Sequence, residues 1–179
     1  MDTVDIKKNF FELFNLPTSF DIDVNDLSSR FLKLQNLTHP DKHASSSDLQ
    51  RRIAVQQSAY INQAFQTLRN PLQRAKYLLM LHGIDIDNEK NISMEPAFLM
   101  QQMELREQLE SIRTSHQPTE ELAEVEMHIN DAIRRVSSLI ETSFRSNSVD
   151  MQAVKNYVCQ MQFLTKLDED ANTLQEELL

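Results

Sequence analysis

The chain has 179 residues, a net charge of −9 at pH 7 and 40% hydrophobic residues, with one Gly, one Cys and no Trp. Scarce glycine and the absence of β-branched alternation argue against hairpin-rich β folds and favour an all-helical protein. The single cysteine excludes an internal disulfide and a metal site built from several cysteines, and the acidic balance disfavours nucleic-acid binding.

The charge is divided unevenly along the chain. Residues 1–82 contain ten Lys/Arg and eight Asp/Glu, whereas residues 83–179 contain eight and nineteen, which gives net charges of +2 and −11. Opposite signs predict two modules with different partners. No apolar run approaches the roughly 18 residues of a membrane span, and the acidic start lacks a signal-peptide pattern. We therefore expect a cytoplasmic protein that binds neither nucleic acid nor membrane.

Two amphipathic helices are predicted at the beginning of the chain. Residues 10–14 are rich in aromatic side chains and predict a short helix that ends before Pro17. Asp23 is the candidate N-cap of the second helix, and Asp26 follows three residues later, where an acid suits the helix dipole. The apolar stripe of this second helix predicts its core face: Leu27, Phe31, Leu34 and Leu37.

A turn with the sequence His39-Pro40-Asp41 follows the second helix. Pro40 disfavours helix at His39 and has no N–H, so the tripeptide is expected on a turn where a His and an Asp face solvent together. A small exposed charge pair between helices suits docking better than packing. Arg30 and Lys33 lie off the apolar stripe, and solvated surface charge is the simplest interpretation of both.

Two further helices complete the first module. The third is predicted over residues 48–68, and its core face is assigned to Ile53, Gln57, Tyr60, Ile61, Ala64, Phe65 and Leu68. Asn70-Pro71 ends it, and Pro71 begins a fourth helix over residues 71–81. Gly83, the only glycine, follows where a left-handed C-cap residue is needed. We place the first module at residues 1–82.

Residues 83–95 are polar and predict a linker, and the remainder predicts three longer helices. These helices cover about residues 96–113, about 119–144, and about 149 to near the end. Their short connections imply an antiparallel three-helix bundle over residues 96–179. The core positions of the last two helices are Leu122, Val125, Ile129, Ala132, Val136, Ile140 and Phe144, then Val154, Tyr157, Met161, Leu164, Ala171, Leu174 and Leu178. The lone Cys159 reads as an ordinary residue of the last helix.

The first helix of this bundle has two apolar faces. One narrow stripe predicts the bundle core: Phe98, Gln102, Leu105, Leu109 and Ile112. The opposite side is Met-rich and acidic: Leu99, Met100, Met103, Glu104 and Glu107. Such a patch is either a protein-binding surface or a face that packs on the first module or the last helix.

The order of these elements and several local motifs resemble the HscB family of J-domain co-chaperones. A short helix, a basic-tinged helix, His-Pro-Asp and a long helix form the layout of a J-domain. The family resemblance spans nearly the whole chain and is weakest between residues 114 and 161. The stretches that carry it are Ala54–Ala59, Ile61–Phe65, Leu68–Leu79, Leu81–Gly83, Ala97–Met100 and Glu104–Glu107.

The resemblance implies a function that the residues alone do not give. Members of the family bind a DnaK-class chaperone, HscA, stimulate its ATPase and deliver the iron–sulfur scaffold protein IscU, without performing chemistry themselves. No catalytic residue, cofactor or metal is therefore expected. The resemblance assigns chaperone binding to His39, Pro40, Asp41, Arg30, Lys33 and Lys42. It assigns scaffold binding to Leu99, Met100, Met103, Glu104, Glu107 and Phe163.

Two positions depart from the family pattern. Thr38 stands where the family usually has Tyr, and Asn36 stands where a basic residue is common, so the docking face has less aromatic surface and less positive charge. Both changes affect the expected strength of chaperone docking. The chain has no cysteine pairs ahead of the J-domain, unlike eukaryotic relatives, so it is expected to be of bacterial type.

The sequence leaves two rival interpretations. His39 and His43 have the four-residue spacing of a zinc site on a helix, but Pro40 interrupts the helix and no general base is adjacent. An enzyme is accordingly disfavoured. The second rival is a J-protein or adaptor for a different client, which would share the first module and differ in its cargo patch.

Overall fold

The computed structural model describes residues 5–38, 47–86, 95–146 and 148–178. Within these ranges all regular secondary structure is helical, which confirms the predicted all-α fold class. The helices are α1 (Phe10–Leu13), α2 (Val24–Thr38), α3 (Asp48–Arg69), α4 (Pro71–Leu81), α5 (Pro96–Ile112), α6 (Pro118–Arg145) and α7 (Met151–Leu178). The described helices lack the combination of length and hydropathy that crossing a bilayer requires.

Side-chain caps fix where the first helices begin. The Asp23 carboxylate accepts hydrogen bonds from the backbone N–H groups of Asn25 at 2.8 Å and Asp26 at 3.2 Å, which confirms Asp23 as the cap of α2. Asn9 forms a reciprocal capping box with Glu12, in which each side chain accepts from the other residue's N–H. These caps satisfy amides that have no partner inside the helix.

The chain divides into two compact units, Met1–Leu78 and Leu79–Leu179. In the first unit, aromatic rings hold α1 in place: Phe10 stacks on Tyr77 at 4.3 Å between ring centroids, and its N–H donates to the Tyr77 hydroxyl at 3.0 Å. Helices α2 and α3 pair through Phe31 and Phe65, whose rings stack at 4.1 Å. The first unit is therefore built around an α2–α3 hairpin, and α1 packs on α3 through Tyr60 and on α4 through Tyr77.

The assignment of Leu37 and Ile53 to the core is wrong. Leu37 is 58% exposed and Ile53 is 41% exposed, whereas Ala54 is buried. At about 100° per residue, each of the two lies about 80° from the centre of its helix's buried face. On α3 that face follows a seven-residue spacing through Ala54, Ile61 and Leu68, all of which are buried.

A buried arginine lies in the first unit at the junction of α3 and α4. Arg74 is 6% exposed, and its Nη1 donates to the carbonyl of Leu68 at 2.5 Å. Its guanidinium lies 5.0 Å from the centroid of the Phe20 ring. Burial lowers the pKa of Arg74, because desolvation disfavours the charged form. The cation is therefore held by a carbonyl and an aromatic face.

Gly83 ends α4 as predicted. Its φ is +80°, and the N–H groups of Gly83 and Ile84 donate to the carbonyls of Met80 and Leu79 at 2.9 and 3.0 Å. This pair of bonds is a Schellman motif, which satisfies carbonyls that the helix leaves open. An added Cβ at Gly83 would meet nothing within 4 Å, so the requirement for glycine is conformational.

The second unit contains α5, α6 and α7. Their common core consists of Leu105, Leu109, Ile112, Leu122, Val125, Ile129, Leu167, Ala171 and Leu174, as the apolar spacing predicts apart from Leu167, which it missed. Cys159 is buried in α7. Leu178 is wrong as a core residue, since it is 37% exposed in the last turn of α7.

Ion pairs on the surface follow the register of α5 and α7. Arg106 of α5 lies 3.8 Å from Asp170 of α7, and Arg113 of α5 pairs with Glu177 of α7. The two arginines are seven residues apart, and so are the two acids. These two helices therefore run in the same direction, and α6 between them runs in the opposite direction.

Residues 87–94 of the expected linker lie outside the described residues, so the domain boundaries at 82 and 95 stay a prediction.

Candidate functional site

Two of the six expected chaperone-binding residues, Arg30 and Lys33, lie within the described residues. His39, Pro40, Asp41 and Lys42 lie outside the described residues, so their arrangement stays a prediction. Lys33 is exposed on α2, as a docking cation or a solvated charge would be.

Arg30 makes contacts that the sequence did not predict. Its Nη1 donates to the carbonyls of Phe14 at 3.0 Å and Asn15 at 2.7 Å, and its Nε donates to the Asp26 carboxylate at 2.9 Å. Asn15 has a φ of +52°, so the arginine supports a left-handed turn after α1. The hydrogen bond from Arg30 lowers the pKa of Asp26. The charge of Arg30 is thus offset within the chain, and its role in docking stays a prediction.

The expected scaffold-binding residues are all exposed on the second unit. Met100 and Met103 are 63% and 64% exposed, Leu99 is 42% exposed and Phe163 is 47% exposed. Glu104 and Glu107 are exposed as well. The described residues of the second unit therefore leave this face of α5 open to solvent.

Three of these residues meet in one groove of about 260 Å³, which we call the α5–α7 groove. It is lined by residues of both helices: Leu99, Gln102, Met103, Arg106, Phe163 and Leu167. At about 100° per residue, Met103 lies about 40° from Leu99 around α5, whereas Met100 lies about 100° away. The helical spacing therefore brings Leu99 and Met103 to the groove and leaves Met100 outside it.

Two glutamates of the patch lie outside the groove. Glu104 instead lines a second, polar groove between α5 and α6, opposite His128, Arg134 and Arg135. In that second groove Arg134 forms an ion pair with Asp131, and this hydrogen bond lowers the pKa of Asp131. The predicted patch therefore covers two faces of α5.

Sequence reasoning missed Gln102 and Arg106 of α5 and Leu167 of α7 as groove residues. Gln102 was assigned to the core, and it is buried, but it also forms part of the groove. Arg106 lies 3.8 Å from the carboxylate of Asp170, which also forms an ion pair with Lys166 Nζ at 3.3 Å. Helical spacing could have found both α5 residues, since they lie three and seven positions after Leu99.

The described residues contain no cluster of three His, Cys, Asp or Glu side chains that could hold a metal ion. The α5–α7 groove itself is lined mainly by apolar side chains and exposed methionine. Methionine adapts its shape to irregular partner surfaces, so this geometry suits protein binding.

Comparison with known proteins agrees with this architecture. Residues 94–172 match the family model described as the HSCB C-terminal oligomerisation domain. The co-chaperone protein HscB homolog of Colwellia psychrerythraea is 40% identical over 171 residues, which cover 95% of this chain and 98% of the relative. The chain belongs to the HscB co-chaperone family.

Solved structures of HscB proteins have the same fold. Chaperone HscB from Vibrio cholerae superposes with a TM-score of 0.86 at 38% identity, covering 96% of this chain and 100% of the other. Human co-chaperone protein HscB superposes with a TM-score of 0.85 at 27% identity, covering 94% and 83%. The family resemblance and the predicted architecture of a J-domain followed by a helical domain are therefore confirmed.

Proposed function

We propose that this protein is a cytoplasmic co-chaperone that brings an IscU-like iron–sulfur scaffold protein to an HscA-like chaperone of the DnaK class and stimulates its ATPase. In this role the protein assists the maturation of iron–sulfur proteins and performs no chemistry of its own. The α5–α7 groove is the observation that carries the proposal, because it joins exposed apolar side chains of two helices at one place.

The groove and its surroundings indicate the chemistry of the partner. Leu99, Met103 and Phe163 offer an apolar contact area, and Glu104 and Glu107 are exposed nearby on α5. Interface energy is usually concentrated in such apolar anchors, whereas surrounding charges set orientation and encounter rate. A scaffold segment that presents an apolar side chain flanked by Lys or Arg fits this surface.

Chaperone stimulation is assigned to the first unit. In the proposed mechanism His39, Pro40 and Asp41 engage the chaperone, and Asp41 accepts a charge-assisted hydrogen bond from a chaperone arginine. Lys33 and Lys42, with Arg30 in a lesser part because Asp26 offsets its charge, raise the encounter rate with an acidic chaperone surface.

Coupling between the two partners follows from differential affinity. A scaffold or co-chaperone shifts the chaperone toward one conformation only if it binds that conformation more tightly than the other. A scaffold bound to the chain that carries the J-domain reaches the chaperone together with it. This raises the effective concentration of the scaffold at the chaperone. ATP turnover is therefore expected to rise more with both partners than with either alone.

Steady-state ATPase measurements test the proposal. The HscA-like chaperone is assayed with this protein, with an IscU-like scaffold, and with both, and calorimetry measures scaffold affinity directly. Replacing Leu99, Met103 and Phe163 by Ala together should abolish scaffold binding and the synergy, and should retain the stimulation by this protein alone. The matched control is Met127→Ala, which truncates a 53% exposed methionine on α6.

Two results would contradict the proposal. Wild-type protein that binds no scaffold would exclude cargo delivery, and wild-type protein that leaves ATP turnover unchanged would exclude chaperone stimulation. Unchanged scaffold affinity in the triple variant would show that the cargo site lies elsewhere on the chain.

A further inference from the structure

Gln102 occupies a position that packing alone would not give to an amide. It is 8% exposed, it lies in the core stripe of α5, and it also lines the α5–α7 groove. Its Nε2 and Oε1 are both buried and have no hydrogen-bond partner among the described residues. Leaving a buried amide unpaired costs about 1–3 kcal/mol, and most such groups in proteins are paired.

We infer that Gln102 is a specificity residue of the scaffold site, an inference that rests on the proposed function. Its carboxamide hydrogen-bonds a main-chain peptide group of the scaffold segment that docks over Leu99, Met103 and Phe163. A carboxamide offers two donors and an acceptor, which match the C=O and N–H that every peptide group carries. Met103 lines the same groove, is 64% exposed and is unbranched, so it can change its rotamer when a docked segment reaches the amide.

This arrangement selects for the conformation of the docked segment. A helical segment has already used its peptide groups internally, so it would dock with the Gln102 amide still unpaired. An extended segment, or a turn with an open peptide group, pairs with the amide in a site from which the apolar side chains exclude water. Because the amide is already buried and unpaired in the free protein, an extended segment gains hydrogen bonds on docking that a helical segment does not gain. Gln102 therefore favours an extended segment over any apolar helix.

Gln102→Met tests the inference, because methionine has a similar length and cannot pair with a peptide group. The variant should raise the midpoint of thermal unfolding, since it removes an unpaired buried amide, and should weaken scaffold binding by about two- to tenfold. The matched control is Gln108→Met on the opposite, exposed side of α5, which should leave both quantities unchanged. Raised stability with unchanged or tighter scaffold binding would overturn the inference.

A measurement on the wild-type protein remains informative if Gln102→Met does not fold. The side-chain NH₂ signals of Gln102 are followed by NMR in the free protein and in the scaffold complex. A downfield shift and slower exchange with solvent are expected on binding, and unchanged signals in a formed complex would overturn the inference. Failure of the wild-type protein to bind the scaffold is a different outcome, which overturns the proposed function and this inference with it.

Discussion

Met103 provides a direct test of the α5–α7 groove. Full burial of a methionine side chain stabilises an interface by about 1.5–3 kcal/mol. Met103 is 64% exposed in the free protein, so covering the exposed part by a docked scaffold contributes roughly 1–2 kcal/mol. Truncation to alanine should therefore weaken scaffold binding by roughly five- to thirtyfold, because about 1.4 kcal/mol corresponds to a factor of ten.

Calorimetric titration of the scaffold into each variant measures this loss. Met103→Ala should unfold at nearly the wild-type temperature, since the side chain is mostly exposed and alanine is the better helix former. Met127→Ala, on α6 and 53% exposed, controls for the loss of an exposed methionine away from the groove. A loss smaller than twofold at Met103, or an equal loss at Met127, would refute the assignment of the groove.

Three other perturbations have defined outcomes. His39→Gln should abolish stimulation of the chaperone ATPase and leave the unfolding temperature unchanged; full stimulation would contradict the docking role of the turn. Gly83→Ala should destabilise the protein by roughly 1–2 kcal/mol in urea denaturation, because φ is +80° and only conformational strain is added, and Gly83→Asn should lose less. Asp26→Asn should flatten the acid limb of the stability curve, measured by urea denaturation at several pH values. The pKa of Asp26 is lowered from 3.8 in the folded protein, so its contribution is present above that pH and is lost as the pH falls below it.

Helical spacing and capping chemistry were sufficient for most of the fold. Asp23, Pro71 and Gly83 mark helix ends through local chemistry that does not depend on distant contacts, and all three occur where predicted. The core assignments of Ile53 and Leu37 failed because both residues lie at the edge of their apolar stripes. A step of three or four residues from a core position reaches the edge of the buried face as easily as its centre. The burial of Ala54 depends on which side of α3 faces α2. An alanine in the sequence does not indicate that side, because alanine occurs on both buried and exposed helix faces.

The candidate site was only partly accessible to sequence reasoning. The exposed face of α5 could be found from its spacing, but the meeting of Leu99 and Met103 with Phe163 depends on how α5 and α7 pack. The unpaired amide of Gln102 is a tertiary property, since the same residue on an exposed face would be unremarkable. The contacts of Arg30 with the turn after α1 also join residues about fifteen positions apart, beyond the range of helical periodicity.

The buried thiol of Cys159 provides a natural probe for unfolding of the second unit. The thiol is 2% exposed and is the only one in the chain, so an alkylating reagent can modify it only when α7 separates from its neighbours. Labelling rates of the unmodified protein therefore measure how often the bundle opens. The same protection allows a fluorophore to be attached through a newly introduced surface cysteine, without first removing the natural one.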